Sequence, residues 1–323
     1  MKKIKYGIMG FGSFAERRLI PGFQKSKIAE VIAITKRDAA KAKARARHFN
    51  IAHSYAHADK NAFLETPDMD AVFVASSNNM HLEDTIACLT GGKHVLLEKP
   101  MGMNAKECEI MIDAAKDNEL ELMIAHCLRF NSTVAHFKTI VEENRLGKLI
   151  SGKCDFFSDG TKSSRTWKYD KHIAGGGAAF DLGVHIIDTI RFITGKAIEN
   201  VNCISVPKNR ASNKVDEVAT FLLDFEGEFS ASCVSSFRGT RNLLLELFGE
   251  KGYIRAYDWN ENFESIRVES EIDGNFQRYE IENEDMYTKE IDTFARCIMG
   301  ETRNPVPGKE GLINQKIIDL VND

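Results

Sequence analysis

Positive charge is not in excess in this 323-residue chain: 43 Lys and Arg stand against 47 Asp and Glu, for a formal net charge of -4. Without a basic surplus there is no electrostatic footprint for a polyanion, so a nucleic acid is not the expected partner. The seven cysteines (Cys88, Cys108, Cys127, Cys154, Cys203, Cys233, Cys297) lack C-x-x-C spacing, and together with the nine histidines they form no short ligand motif. That argues against a bound metal. An odd, scattered set reads instead as reduced thiols, mostly buried, in a reducing compartment. Long apolar runs are also missing, so no bilayer-spanning segment and no membrane partner are expected. Met1-Lys2-Lys3 precedes an apolar run, but Lys5 and three glycines interrupt it before Phe14 and no small-residue cleavage site follows. The expectation is a cytoplasmic protein. Internal repeats and low-complexity segments are absent as well.

What the chain does have is an ordinary globular composition, 43% hydrophobic and 28% charged, and enough length for two domains. Over the first 125 residues, short apolar runs alternate with helical patterns. Lys3–Met9, Glu30–Thr35, Asp70–Ala75, His94–Leu97 and Glu121–Ala125 read as strands. Phe14–Leu19, Ala39–Phe49, His81–Leu89 and Ala105–Asn118 read as helices. This βαβα rhythm predicts a mostly parallel sheet flanked by helices. After Arg129 the rhythm changes. A helix at Val134–Asn144, a strand at Leu149–Phe157, a loop at Ser158–Gly177 and a helix at Ala178–Thr194 precede a series of strands from Val201 to Ile281. Short turns such as Glu226-Gly227 predict antiparallel neighbours, and helices at Met286–Met299 and Lys309–Val321 close the chain. The fold class expected is an α/β domain over 1–125 and an α+β domain with a large, mainly antiparallel open sheet over 126–323, the last helices being able to pack back on the first domain.

The first strand runs into Gly10-Phe11-Gly12-Ser13-Phe14-Ala15, a G-x-G-x-x-A sequence that opens a helix. Gly10 permits a tight turn, Gly12 lets backbone amides approach a pyrophosphate, and Ala15 allows close helix–strand packing. The helix start at Ser13 and Phe14 offers partial positive charge to phosphates. At the end of the second strand, Thr35-Lys36-Arg37-Asp38 stands where an acid would hold the ribose 2′-hydroxyl of NAD. Lys36 and Arg37 there favour the 2′-phosphate of NADP(H), with Arg37 the stronger candidate because its planar fork matches phosphate oxygens. Thr35 is a further hydroxyl donor, Asp38 could turn back to the ribose, and NAD(H) remains possible.

The fifth strand ends in Glu98-Lys99-Pro100, at the edge where open α/β sheets bind ligands. The Gly10 turn, Gly92-Lys93-His94-Val95 leading to Glu98-Lys99-Pro100, and Gly175-Gly176-Gly177 followed by Asp181-x-Gly183-x-His185-x-x-Asp188 together resemble the Gfo/Idh/MocA oxidoreductases, the family of glucose–fructose oxidoreductase and inositol dehydrogenase. The resemblance spans essentially the whole chain. It implies a Rossmann domain, an open-sheet domain used for homodimer or homotetramer contacts, and Lys99, Asp181 and His185 around a small-molecule substrate. It also implies cofactor contacts from Ser76, Asn78, His81, Glu98 and Lys99, and a short motif at Arg129-Phe130-Asn131. Two departures stand out: Ser76-Ser77-Asn78-Asn79 replaces the frequent Thr-Pro-Asn, and Lys36 replaces an acid.

Asp181, His185 and Asp188 fall at i, i+4 and i+7 and so share a helix face. Hydride transfer to a carbonyl puts charge on oxygen, which must be protonated, and the reverse reaction removes a hydroxyl proton. His185, titrating near neutrality, is the candidate acid/base; Asp181 would orient it and Lys99 would stabilise the charge. The reverse assignment, with Lys99 as proton donor, stays open. Asp188 supports the helix or binds a substrate hydroxyl, and Arg129 is a further candidate for substrate contact. Arg165, Trp167, Lys168 and Tyr169 form a loop able to cover a polyhydroxylated ring, or simply to anchor packing. The expected activity is NAD(P)-dependent oxidation or reduction of a sugar, polyol or related small molecule at a CH-OH group. The alternatives are an NAD-recycling glycosidase and a non-catalytic dinucleotide-binding regulator on the same fold.

Overall fold

A computed structural model of the chain describes residues 3–159, 166–206, 215–260, 262 and 265–322. Arg165 lies outside the described residues. Met1–His126 with Tyr287–Gln315 form one compact unit, and Cys127–Met286 with Lys316–Asp323 form a second.

The first unit is built on a six-stranded parallel sheet: β1 (Ile4–Met9), β2 (Ala29–Lys36), β3 (His53–Ala56), β4 (Ala71–Val74), β5 (His94–Glu98) and β6 (Leu122–Ala125). The spatial order is β3-β2-β1-β4-β5-β6, so the winding reverses between β1 and β4, and ligands bind at such switch points. All four residues of β4 are buried, as its continuous apolar run requires. The sequence hides β3 because His-Ser-Tyr-Ala is a half-exposed edge strand with no apolar run. The connecting helices are α1 (Ile20–Lys25), α2 (Ala39–Phe49), α3 (Lys60–Leu64), α4 (His81–Thr90) and α5 (Ala105–Asp117). The helix expected to start over Phe14–Leu19 does so as a wide i→i+5 turn, Ala15–Leu19, that runs directly into α1.

The second unit begins with α6 (Ser132–Glu142), β7 (Leu149–Phe157), α7 (Lys171–Ala174) and α8 (Val184–Thr194). Its eight-stranded sheet adds β8 (Ile198–Val206), β9 (Val218–Phe225), β10 (Phe229–Ser236), β11 (Asn242–Gly249), β12 (Gly252–Tyr257), β13 (Ile266–Ile272) and β14 (Asn275–Ile281), in the order β14-β13-β12-β11-β7-β10-β9-β8. All neighbours are antiparallel except β7 and β10, which run parallel because the chain crosses over between them. β9 alternates buried and exposed residues almost strictly, so one sheet face packs inward.

Two helices follow, α9 (Met286–Ile298) and α10 (Gly308–Asn322). α9 lies almost wholly in the first unit: the Tyr6 hydroxyl donates to the Ile291 carbonyl at 3.3 Å, and the Tyr6 and Phe294 rings are 6.4 Å apart. Of the seven cysteines, none in a disulfide, six are buried and Cys203 is half-buried.

One expectation needs correction. Lys171–Thr194 is long and apolar enough, by length and composition, to cross a bilayer. Its apolarity comes from packing: 83% of its 18 most apolar consecutive residues are buried within the fold, and a glycine turn divides α7 from the helix that follows.

Candidate active site

In the first unit the glycine turn sits at the switch point. Gly10 has φ +86°, and a Cβ there would lie 2.5 Å from the Ser76 backbone, so both strain and space exclude a side chain. A Cβ on Gly12 would meet only the Gly10 carbonyl oxygen, at 3.9 Å. That open space at the start of the helix beginning at Ser13 fits a pyrophosphate-linked dinucleotide. Ala15 is buried, as close helix–strand packing needs. Phe14 stacks edge-on against Tyr287, with ring centroids 5.8 Å apart.

The end of β2 is organised around this turn. Thr35 is fully buried; its Oγ1 accepts from the Gly10 amide at 3.0 Å and its carbonyl from the Phe11 amide at 2.8 Å. Its hydroxyl therefore lies beneath the turn, turned away from solvent. Lys36 Nζ donates to the Phe11 carbonyl at 2.8 Å, and Arg37 is exposed. Asp38 caps α2, accepting from the Lys41 amide at 2.9 Å, and that backbone bond holds its carboxyl below the usual aspartate range.

Ser76 and the buried Asn78 lie in the loop after β4. His81, at the start of α4, has no exposed surface. Its Nδ1 is 2.9 Å from the Pro100 carbonyl and its Nε2 is 3.3 Å from the Ser76 carbonyl, so the ring ties the loop after β4 to the turn after β5. Burial holds this imidazole below the ordinary histidine value against the pull of those carbonyls. Glu98 and Lys99 are half-buried at the carboxyl end of β5, and the Lys99–Pro100 bond is cis.

In the second unit the glycine run explains itself at Gly177. A Cβ there would fall 1.7 Å from the Asp216 carbonyl oxygen. Asp216, buried just ahead of β9, accepts from the Gly177 amide at 3.0 Å and the Ala179 amide at 2.8 Å. Those bonds anchor the start of the helix. Sequence reasoning missed Asp216. Three glycines announce a close backbone approach without naming what approaches.

The regular helix expected over Ala178–Thr194 is instead a wide i→i+5 turn, Ala179–Gly183, leading into α8. Asp181 lies inside that turn, and its carboxylate forms an ion pair with Lys168, both groups mostly buried. His185 is 9% exposed, its ring 5.8 Å from that of Phe156. Asp188 is buried and paired with Arg129: Nε donates at 2.9 and 3.1 Å, and Nη2 at 2.6 Å. The structure thus brings Arg129 and Asp188 to each other. Trp167 is half-buried in a short 3-10 turn, Thr166–Tyr169, whose Tyr169 packs on Phe237 at 5.6 Å between ring centroids.

Comparison with known proteins follows this division. Residues 4–126 match the model of an oxidoreductase family with an NAD-binding Rossmann fold, and residues 134–255 match the GFO/IDH/MocA C-terminal domain. A levoglucosan dehydrogenase of Pseudarthrobacter phenanthrenivorans is 29% identical over 65% of this chain and 60% of its own length. A D-xylose 1-dehydrogenase [NADP(+)] of Haloarcula marismortui is 21% identical over 98% of this chain and 90% of its own. Among solved structures, an aldose-aldose oxidoreductase from Caulobacter crescentus complexed with glycerol has a TM-score of 0.91 at 24% identity, covering 99% of this chain and 96% of that one. A levoglucosan dehydrogenase in complex with NADH and levoglucosan has a TM-score of 0.85 at 21% identity, covering 99% and 96%. At those identities the structural likeness speaks for the fold alone. With both halves matched in order by its domain models, the chain belongs to the Gfo/Idh/MocA oxidoreductase family.

Proposed function

We propose that this protein is an NAD(P)-dependent dehydrogenase or reductase that interconverts a hydroxyl and a carbonyl on a sugar, polyol or related small molecule. The observation that carries the reading is the glycine turn at the switch point of the parallel sheet, with Lys99 at the carboxyl end of β5. The relatives named above are dehydrogenases and oxidoreductases of sugars, which favours net hydride transfer over a recycling glycosidase or a sensor.

Backbone amides at Gly12 and Ser13 would hold the pyrophosphate, and the nicotinamide would supply or accept the hydride. The protein's own task is the proton and the charge. A carbonyl oxygen gains negative charge as it is reduced, and the Lys99 ammonium stabilises that charge. His185 gives or takes the hydroxyl proton, being a side chain that can do either near neutral pH. Asp181, paired with Lys168, keeps a fixed charge one helical turn before His185. The Asp216 anchor limits how far that turn can move.

NADP(H) is the preferred cofactor in this reading. With Lys36 engaged by the Phe11 carbonyl, Asp38 capping α2 and Thr35 buried, Arg37 is the exposed group at the strand end that suits a 2′-phosphate. Kinship does not choose, since one relative carries NADP(+) in its name and another structure holds NADH. Arg37→Ala is expected to weaken NADP(H) binding about 10- to 100-fold and to leave NAD(H) binding unchanged, the scale of a lost charged hydrogen bond. A cytoplasmic homodimer or homotetramer completes the proposal. Self-association is supported by Ile204 and Leu222, 62% and 55% exposed on the same face of β8 and β9, and light scattering reads the oligomer directly.

The deciding experiment is a screen of ketoses, inositols, anhydro-sugars, aldoses and dihydrodiols against both cofactors, followed at about 340 nm where reduced nicotinamide absorbs. On the best substrate, Lys99→Ala and His185→Ala should each lower kcat/KM by about 10²- to 10⁴-fold. Wild-type kcat/KM in either variant removes that residue from the mechanism.

A further inference from the structure

Behind the glycine turn runs a line of polar contacts that leads from the buried Thr35 to the partly exposed His57 and Lys60. The Gly10 amide donates to Thr35 Oγ1 at 3.0 Å, and Thr35 Oγ1 lies 3.3 Å from His57 Nδ1. His57 Nε2 is 3.3 Å from Asp84 Oδ1, and Lys60 Nζ is 2.7 Å from the same oxygen. These last two are charge contacts rather than well-aligned hydrogen bonds. Thr35 and Asp84 have no exposed surface. The members come from the end of β2, the turn after β3, the start of α3 and the first turn of α4.

The chemistry gives the line a direction. The Gly10 N–H occupies one lone pair of Thr35 Oγ1, so the hydroxyl hydrogen is available to His57 Nδ1. In the tautomer with the ring proton on Nε2, facing Asp84, Nδ1 accepts that hydrogen. A carboxylate shut away from water persists only where cations or donors hold it. For Asp84, burial pushes the carboxyl up, but His57, Lys60 and Ser76 outweigh it and keep it below the ordinary aspartate value. Ser76 belongs to the loop whose backbone crowds Gly10.

We propose that His57 and Asp84 are positioning residues for the dinucleotide: acting through Thr35, they fix the Gly10 amide and the turn, and so set cofactor affinity without touching the cofactor. The inference rests on the NAD(P)-binding role of the turn. Gly10 sits at a φ that glycine leaves as easily as it adopts, so its amide needs a fixed acceptor to stay in place. Thr35 Oγ1 is that acceptor. His57 keeps the hydroxyl aimed, and Asp84 with Lys60 keeps His57 aimed.

The experiment measures NADP(H) and NAD(H) affinity by fluorescence titration, with steady-state kinetics beside it. Wild-type protein that binds neither nucleotide overturns the cofactor reading together with this inference. Given wild-type binding, Thr35→Val and His57→Phe should each raise Kd about tenfold, the scale of one lost hydrogen bond. kcat at saturating cofactor should stay within about twofold for His57→Phe and Asp84→Asn. The double variant Thr35→Val/His57→Phe should be no weaker than the weaker single, because both cut one line. Thr35→Ser, which keeps the hydroxyl, should bind like wild type. Should His57→Phe fail to fold, Asp84→Asn, which keeps the shape, carries the same expectation for Kd. Wild-type Kd in the variants, independent multiplication of the two losses, or a loss that falls on kcat instead of Kd each overturns the proposal.

Discussion

Asp188 and Arg129 are each other's principal partner: the guanidinium meets both carboxylate oxygens and also lies 5.2 Å from the centre of the Phe192 ring. Sequence reading offered Arg129 to the substrate and Asp188 to helix support or a substrate hydroxyl. Their side chains are 6% and 1% exposed, so little of either is left to offer. The pair fastens α8 to the segment entering α6, and with it the helix that carries His185.

A buried pair of this kind is costly to break and inexpensive to replace. Arg129→Met alone should destabilise the protein by about 3–5 kcal/mol, while the double variant Arg129→Met/Asp188→Leu should come back near wild type. Urea denaturation reads both. Substrate KM in the double variant should stay within about threefold of wild type; a 100-fold rise would return these residues to substrate contact.

Gly177 tolerates no side chain. Gly177→Ala sets a methyl 1.7 Å from the Asp216 carbonyl oxygen, a backbone atom that cannot swing aside. The expected loss is about 3 kcal/mol or more, with kcat/KM falling because the turn bearing Asp181 shifts. Asp216→Ala strips the acceptor from two buried amides and should cost about 1–3 kcal/mol for each. Thermal melts with and without cofactor measure both.

Lys168 is the predicted partner test for Asp181. Lys168→Met should lower kcat/KM about tenfold or more, by leaving a mostly buried carboxylate without its cation, and Lys168→Arg should restore most of it. Equal activity in all three proteins would make the ion pair purely structural.

Glu290, on α9, is fully buried, and burial followed by the charge of Glu98 raises its carboxyl well above the ordinary value of 4.5. The fold therefore favours the neutral acid. Its contribution to stability is complete below pH 4.5 and is lost as pH rises toward the raised folded value. Glutamine mimics the neutral acid at every pH. Glu290→Gln should match wild type in acid and exceed it by a margin growing at about 1.4 kcal/mol per pH unit above that point. A pH series of denaturation curves checks the slope, and parallel curves would show the carboxyl to be ionised throughout.

Much of the fold could be read from the chain. Continuous apolar runs marked the buried strands β4 and β5, and the glycine turn marked the switch point, because both signals are local. The polar edge strand β3 carried no such signal. Nor could a strict 3.6-residue period anticipate the wide turns at Ala15–Leu19 and Ala179–Gly183, which depend on what packs beside them. The candidate site was legible as motifs but not as partnerships. That Asp181 faces Lys168, that Thr35 turns under Gly10 and that Asp216 anchors Gly177 are relations between residues 13, 25 and 39 positions apart. Spacing arguments confined to one helix do not reach that far.

The nucleotide-binding unit is written in two pieces. Ile291, Phe294 and Ala295 of α9 are fully buried, and they are translated only after every strand of the eight-stranded sheet has been synthesised. A fragment stopped at His126 would carry every glycine of the turn and still present a bare apolar patch around Tyr6. Maturation of the cofactor half therefore waits on the end of synthesis, and until then the nascent chain has a greasy surface for chaperones to shield.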